Sequence, residues 1–134
     1  MSRFVLDSDT VSYILQERRT VLARLAGAVE DNAEIFLCPM VYYQVRRGLL
    51  YKEAPRQLRE FDSLVRGFTW VDFEQPMWDR AAEAWASTRR RGRPHDDDAD
   101  LLITAYARRL RAILVTNNAS DFAGLGVQTV NWVA

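Results

Sequence analysis

The side chains whose chemistry stands out are carboxylates and amides placed at turns. Asp7 ends the apolar run Phe4-Val5-Leu6, and Asp98 and Asp100 open the apolar segment Leu101-Leu102-Ile103. Asn118 and Asp121 follow Ile113-Leu114-Val115-Thr116, and Gln44 lies within MVYYQVRRGLLYK. Side-chain oxygens gathered without histidine or cysteine point to a hard cation, Mg²⁺ or Mn²⁺. Cys38 is the only cysteine and His95 the only histidine, so the chain has no intrachain disulfide and no zinc site of the Cys/His type.

Each of these residues also has a plainer reading. Asp7 would cap a helix, here expected to start near Val11; Ser8, Asp9 and Thr10 are equally good caps, which leaves Asp7 free for a site. Acids in a first helical turn favour the helix dipole by about 0.3–1 kcal/mol each. Asp96, Asp97, Asp98 and Asp100 are more than capping needs, and either a cation or the neighbouring arginines would relieve their repulsion. Asp100 is the one expected to face inward; Asp96 and Asp97 are expected to be solvated. Gln44 shares an i, i+4 row with Met40 and Gly48 and points to the inner side of its helix. A lone inward glutamine is more often a satisfied core amide than a ligand. The run Arg89-Arg90-Arg91-Gly92-Arg93 is the one dense basic patch, read equally as a solvated loop or a phosphate contact.

The elements that must position these groups alternate between strand and helix. Phe4–Leu6, Ile35–Cys38, Thr69–Phe73, Ile113–Thr116 and Val127–Val133 read as strands, the continuous apolar ones as strands buried on both faces. Helical spacing covers Val11–Val29 in two pieces, Met40–Lys52, Pro55 to Gly67, Gln75 to about Thr88, and a segment from Asp98. Asn117–Phe122 reads as a polar loop. This order predicts an α/β fold, helices on both faces of a central parallel sheet with right-handed crossovers. Ligands then bind at the carboxyl ends of the strands, where Asp7 falls. The 134 residues fit one domain, 1–134, and at 49% hydrophobic they supply a core. Lys and Arg number 18 against 18 Asp and Glu, so net charge gives no argument for a polyanionic partner. No signal peptide or membrane-length apolar run is seen, and the expectation is a cytoplasmic protein with no membrane contact.

Taken in order, four pieces of the chain resemble a known family. They are Val5-Leu6-Asp7-Ser8-Asp9, Val41-Tyr42-Tyr43-Gln44-Val45-Arg46-Arg47-Gly48, Asp98-Ala99-Asp100-Leu101-Leu102-Ile103-Thr104-Ala105 and Val115-Thr116-Asn117-Asn118-Ala119-Ser120-Asp121-Phe122. The pattern is similar to that of PIN domains, and in particular of VapC-like toxin ribonucleases from toxin–antitoxin pairs. The resemblance implies a single PIN-like α/β/α sandwich and Mg²⁺- or Mn²⁺-dependent endonuclease hydrolysis of RNA. It implies Asp7 and Asp100 as metal ligands, with Gln44 and Asp121 completing the catalytic set. Asn118 is the alternative to Asp121 at the fourth acidic position. Asp9, Asp98, Thr116, Asn117 and Asn118 are candidates for supporting or metal contacts, and Arg89, Arg90, Arg91 and Arg93 for RNA binding. It also implies a homodimer and a cognate antitoxin covering the active site, with Tyr42, Tyr43, Leu50, Tyr51 and Phe61 as candidates for the antitoxin groove. Gln44 departs from the family, which carries glutamate there; a carbonyl oxygen can coordinate but brings no charge.

Two other readings compete. A PIN fold with impaired catalysis would still bind RNA or its antitoxin. Asp7-Ser8-Asp9-Thr10 also matches the D-x-D-x-T phrase of haloacid-dehalogenase-type phosphatases, which want a lysine near the phosphate; Lys52 is the one lysine, and the chain lacks room for a cap.

Overall fold

A computed structural model describes residues 2–134. The elements run β1 (Arg3–Leu6), α1 (Ser8–Leu15), α2 (Arg19–Glu30), β2 (Glu34–Leu37), α3 (Pro39–Tyr51), α4 (Pro55–Arg66), β3 (Thr69–Trp70), α5 (Gln75–Arg90), α6 (Asp98–Arg109), β4 (Ile113–Val115) and β5 (Thr129–Val130). Prolines Pro39, Pro55 and Pro76 stand in the first turns of α3, α4 and α5, where the missing N–H costs nothing.

The five strands form one parallel sheet in the order β3-β2-β1-β4-β5. Val5 faces Phe36 on one side and Leu114 on the other, and all three are buried. Apolar residues on both sides of the sheet must be covered, and the helices between the strands do this. The chain winds outward from β1 through β2 to β3, then returns to the other side of β1 as β4. The reversal of strand order lies between β1 and β4, which is where open parallel sheets leave a crevice. Asp7 N–H donates to the Val115 carbonyl at 2.9 Å and Thr10 Oγ1 donates to the same oxygen at 3.1 Å, which stitches the two strand ends together.

Several boundaries differ from the sequence reading for local reasons. Helix α1 begins at Ser8, not near Val11, because Asp7 itself is the cap: its Oδ1 accepts from Ser8 N–H at 2.8 Å. Asp97 is exposed and in addition caps α6 by accepting from Asp100 N–H at 3.2 Å. Helix α5 continues through Arg89 and Arg90 and stops at Gly92, whose φ of 75° is left-handed; Arg93 N–H then returns to the Thr88 carbonyl at 2.9 Å. Ala119–Phe122 is a 3-10 turn and not an open loop, and β3 and β5 are two residues each.

Candidate acidic active site

Asp7 and Thr116 end the two strands that flank the reversal. Asp7 is 7% exposed, and its two oxygens have different partners. Oδ1 takes the Ser8 N–H, and Oδ2 accepts from Thr116 Oγ1 at 2.9 Å. Asp7 is therefore both a helix cap and a rigidly held carboxylate. Burial raises its pKa above the ordinary value; the Thr116 and Ser8 hydrogen bonds pull it back, and Asp9 and Asp121 push it up.

Asp100 approaches from the first turn of α6. Its pKa is pushed up to about 7, first by burial, then by the negative charges of Asp97 and Asp7, with a smaller push from Asp121. Three acids brought by β1, α6 and the 3-10 turn thus feel one another: Asp7, Asp100 and Asp121. Asp9 is joined to Asn118, whose side-chain N–H donates to Asp9 Oδ2, while Asn118 N–H donates to Thr116 Oγ1 at 3.0 Å. Thr116 and Asn118 therefore hold the acids in place. Asn117 turns outward to Tyr13 and Asn131 at 3.3 and 3.1 Å.

Asp98 does not join this group. It is two residues from Asp100, about 200° around the helix, and it lines an apolar groove with Trp78 and Trp85 instead. Asp96 pairs with Arg89, and the Arg89 guanidinium lies 4.1 Å from the Trp85 ring centroid. The arginines thus relieve part of the acidic run. Arg90 and Arg91 are exposed, and Arg93 lines a cavity with His95 and Asp121.

His95 is the residue that sequence reasoning missed. Its Nε2 lies 2.6 Å from the Asp121 carbonyl oxygen and 3.8 Å from Asp100 Oδ2. A carbonyl only accepts, so Nε2 carries the hydrogen. The ring ties the 3-10 turn to the start of α6. Its position directly before the acidic run was the available signal.

Gln44 is half-buried on α3, and its Oε1 is buried with no hydrogen-bond partner. The core-amide reading leaves that oxygen unpaired. The side chain lines a cavity of about 230 Å³ with Ser8, Ser12, Arg47 and Lys52; Asp7 is not among the residues lining it. Cys38, at the end of β2, is fully buried, and burial pushes its thiol up to about 12, so it is no nucleophile. Phe61 is also core, stacked on Tyr42 at 5.6 Å, whereas Tyr43, Leu50 and Tyr51 are exposed.

Among the described residues, no three His, Cys, Asp or Glu side chains form a ready-made metal cage. Mg²⁺ does not need one, because it is commonly held by one or two carboxylates with waters and substrate phosphates. Asp7 and Asp100, near enough for the charge of one to raise the pKa of the other, fit such an ion.

A five-stranded parallel sheet with helices between its strands and acids at its strand reversal defines a small α/β protein. The PIN domain family model matches residues 4–126, and the chain belongs to that family. It is 22% identical over 120 residues to "Ribonuclease VapC1" of Haemophilus influenzae strain R2866, covering 89% of each chain. In structure it is similar to VapBC2 from Rickettsia felis bound to a promoter DNA fragment, with a TM-score of 0.86, 20% identity and coverage of 97% and 98%. It is also similar to VapBC-1 from nontypeable Haemophilus influenzae, with a TM-score of 0.81, 19% identity and coverage of 98% and 99%. Family membership removes the phosphatase reading of Asp7-Ser8-Asp9-Thr10; Thr10 Oγ1 is spent inside the fold on Val115.

Proposed function

We propose that the chain, as one domain over residues 1–134, is a divalent-metal-dependent endoribonuclease and the toxin half of a toxin–antitoxin pair. The observation that carries this is the meeting of Asp7, Asp100 and Asp121 at the β1/β4 reversal, with burial and mutual repulsion raising Asp7 and Asp100. Repelled carboxylates in a crevice favour a cation.

Asp7 and Asp100 would hold Mg²⁺ or Mn²⁺, with Gln44 Oε1 as a neutral ligand and Asp121 at the open side. Such an ion, held by these residues, would supply a lowered pKa for an attacking water and an offset to charge developing on the phosphate. Thr116 and Ser8 fix the Asp7 carboxylate, and Asn118 fixes Asp9, so the site is organised before substrate arrives. Arg93, which lines a cavity with His95 and Asp121, would meet a neighbouring phosphate of single-stranded RNA.

The relatives named as VapBC complexes support an antitoxin partner. Tyr43, Leu50 and Tyr51 on α3 give it exposed apolar surface, 55, 54 and 90% exposed. We also propose a homodimer and a cytoplasmic location; no helix among the described residues is long and apolar enough to cross a membrane.

Gln44 favours a second reading, a PIN fold whose catalysis is weakened while RNA or antitoxin binding persists. The test is RNA cleavage with Mn²⁺, Mg²⁺ and chelator. Metal-dependent cleavage by the wild type that disappears in a folded Asp7→Asn variant supports the enzyme. Tight RNA binding with no metal-dependent cleavage supports the binding module.

A further inference from the structure

A separate cavity of about 360 Å³ opens between α5 and α6. Arg80, Arg108, Arg109 and Arg111 line it, and no acidic residue does. Glu83 pairs with Arg80 at 3.4 Å and Glu74 with Arg109 at 3.8 Å. Arg108 donates only to the Leu125 carbonyl, at 3.4 Å, and Arg111 has no carboxylate partner among the described residues.

Thr104 supplies an independent observation. It is 4% exposed, it lines this cavity, and its Oγ1 has no hydrogen-bond partner. A helical threonine ordinarily bonds the carbonyl one turn back. A buried hydroxyl left unpaired is costly, and a ligand that draws it toward the cavity would supply the missing partner. Guanidinium groups with no acid in the lining are the chemistry of an anion site. Guanidinium geometry suits phosphate in particular. The volume is that of a small-ligand pocket, roughly 300–1,000 Å³, and exceeds what a bare anion needs. Leu101, Ala105 and Leu125 give the remainder an apolar wall.

The cavity is also linked to the acidic centre. Leu125 lines both it and the neighbouring cavity that holds Arg93, His95 and Asp121. We propose that the Thr104–Arg108–Arg111 cavity is a phosphate subsite, occupied by a phosphate group of the RNA strand away from the scissile bond. The RNA source rests on the ribonuclease reading; the phosphate chemistry does not.

The experiment uses the whole chain in chelator, so that no strand is cut. The probes are inorganic phosphate, adenosine monophosphate and a short single-stranded oligoribonucleotide. The variants are Thr104→Val, which is nearly isosteric and gives up no existing hydrogen bond, and Arg111→Gln. Phosphate and the monophosphate should raise the wild-type melting temperature saturably, and each variant should weaken them roughly tenfold. Oligoribonucleotide affinity should fall too, and Arg111→Gln should make its salt dependence shallower by about one phosphate contact. Variants that lose phosphate but keep full oligoribonucleotide affinity keep the subsite and assign it to a free phosphate compound. Wild type that binds phosphate here but no RNA also keeps the subsite, and the ribonuclease reading fails instead. Phosphate binding that is absent, or identical in wild type and both variants, overturns the proposal.

Discussion

Replacing Asp100 with Asn is expected to stabilise the metal-free protein at pH 8 and to remove its response to Mn²⁺. The pKa of Asp100 is raised from 3.8 to about 7 in the fold. A rise of that size corresponds to a ceiling of about 4 kcal/mol. The side chain is 17% exposed, and solvent screening at an open crevice lowers the figure to about 1–3 kcal/mol. A raised carboxyl pKa means that the folded state holds its proton longer than the unfolded chain. The associated stability is therefore fully present below about pH 4 and is lost as pH rises towards and through about 7. At pH 8 the wild type carries an ionised Asp100 repelled by Asp97, Asp7 and Asp121, and Asn removes that repulsion. The helix cap survives, because Asp97 bonds the backbone N–H of residue 100 and not its side chain. Melting temperatures in chelator should differ by roughly 3–10 °C at pH 8 for a domain of this size, and the gap should close by pH 4. Comparing the two proteins at each pH cancels the titration of distant groups. Mn²⁺ should raise the wild-type melting temperature at pH 8 and leave the variant unmoved. An Asn variant no more stable than wild type at pH 8, or a gap that widens on acidification, refutes the electrostatic account of the site.

Two further substitutions probe the same centre. Gln44→Glu puts a charge on a group whose oxygen already lacks a donor; it should cost several kcal/mol (~2–5) in chelator, recover that loss in Mn²⁺, and raise metal-dependent cleavage. A variant that stays destabilised in Mn²⁺ separates Gln44 from the metal site. His95→Ala removes the bond to the Asp121 carbonyl and should lower stability by about 1 kcal/mol. It should also shift the pH at which Asp100 loses its proton further upward, because His95 is the one group that lowers it; an unchanged carboxyl titration in NMR spectra would show that His95 does not act on Asp100.

The alternation of apolar strands and amphipathic helices is a local property, and it sufficed for the parallel sheet and for placing Asp7 at a strand end. The prolines at the helix starts and Gly92 after the arginines likewise act within a few residues. The winding order was not local. Only the packed sheet shows that β4 returns beside β1, and that return brings Thr116 and Asp121 to Asp7 across more than a hundred residues of chain. The sequence offered Asp7 several rivals as helix cap, yet the fold uses Asp7 as cap and as crevice carboxylate together, because a carboxylate has two oxygens. Helical period already separates Asp98 from Asp100, but which of them meets the acids depends on the side of α6 that α5 covers. The roles of His95 and Thr104 follow from what their side chains face, the Asp121 carbonyl for one and an arginine-lined cavity for the other. Hydrogen-bond partners distant in sequence are fixed by tertiary packing alone, and so is the lack of one at Gln44.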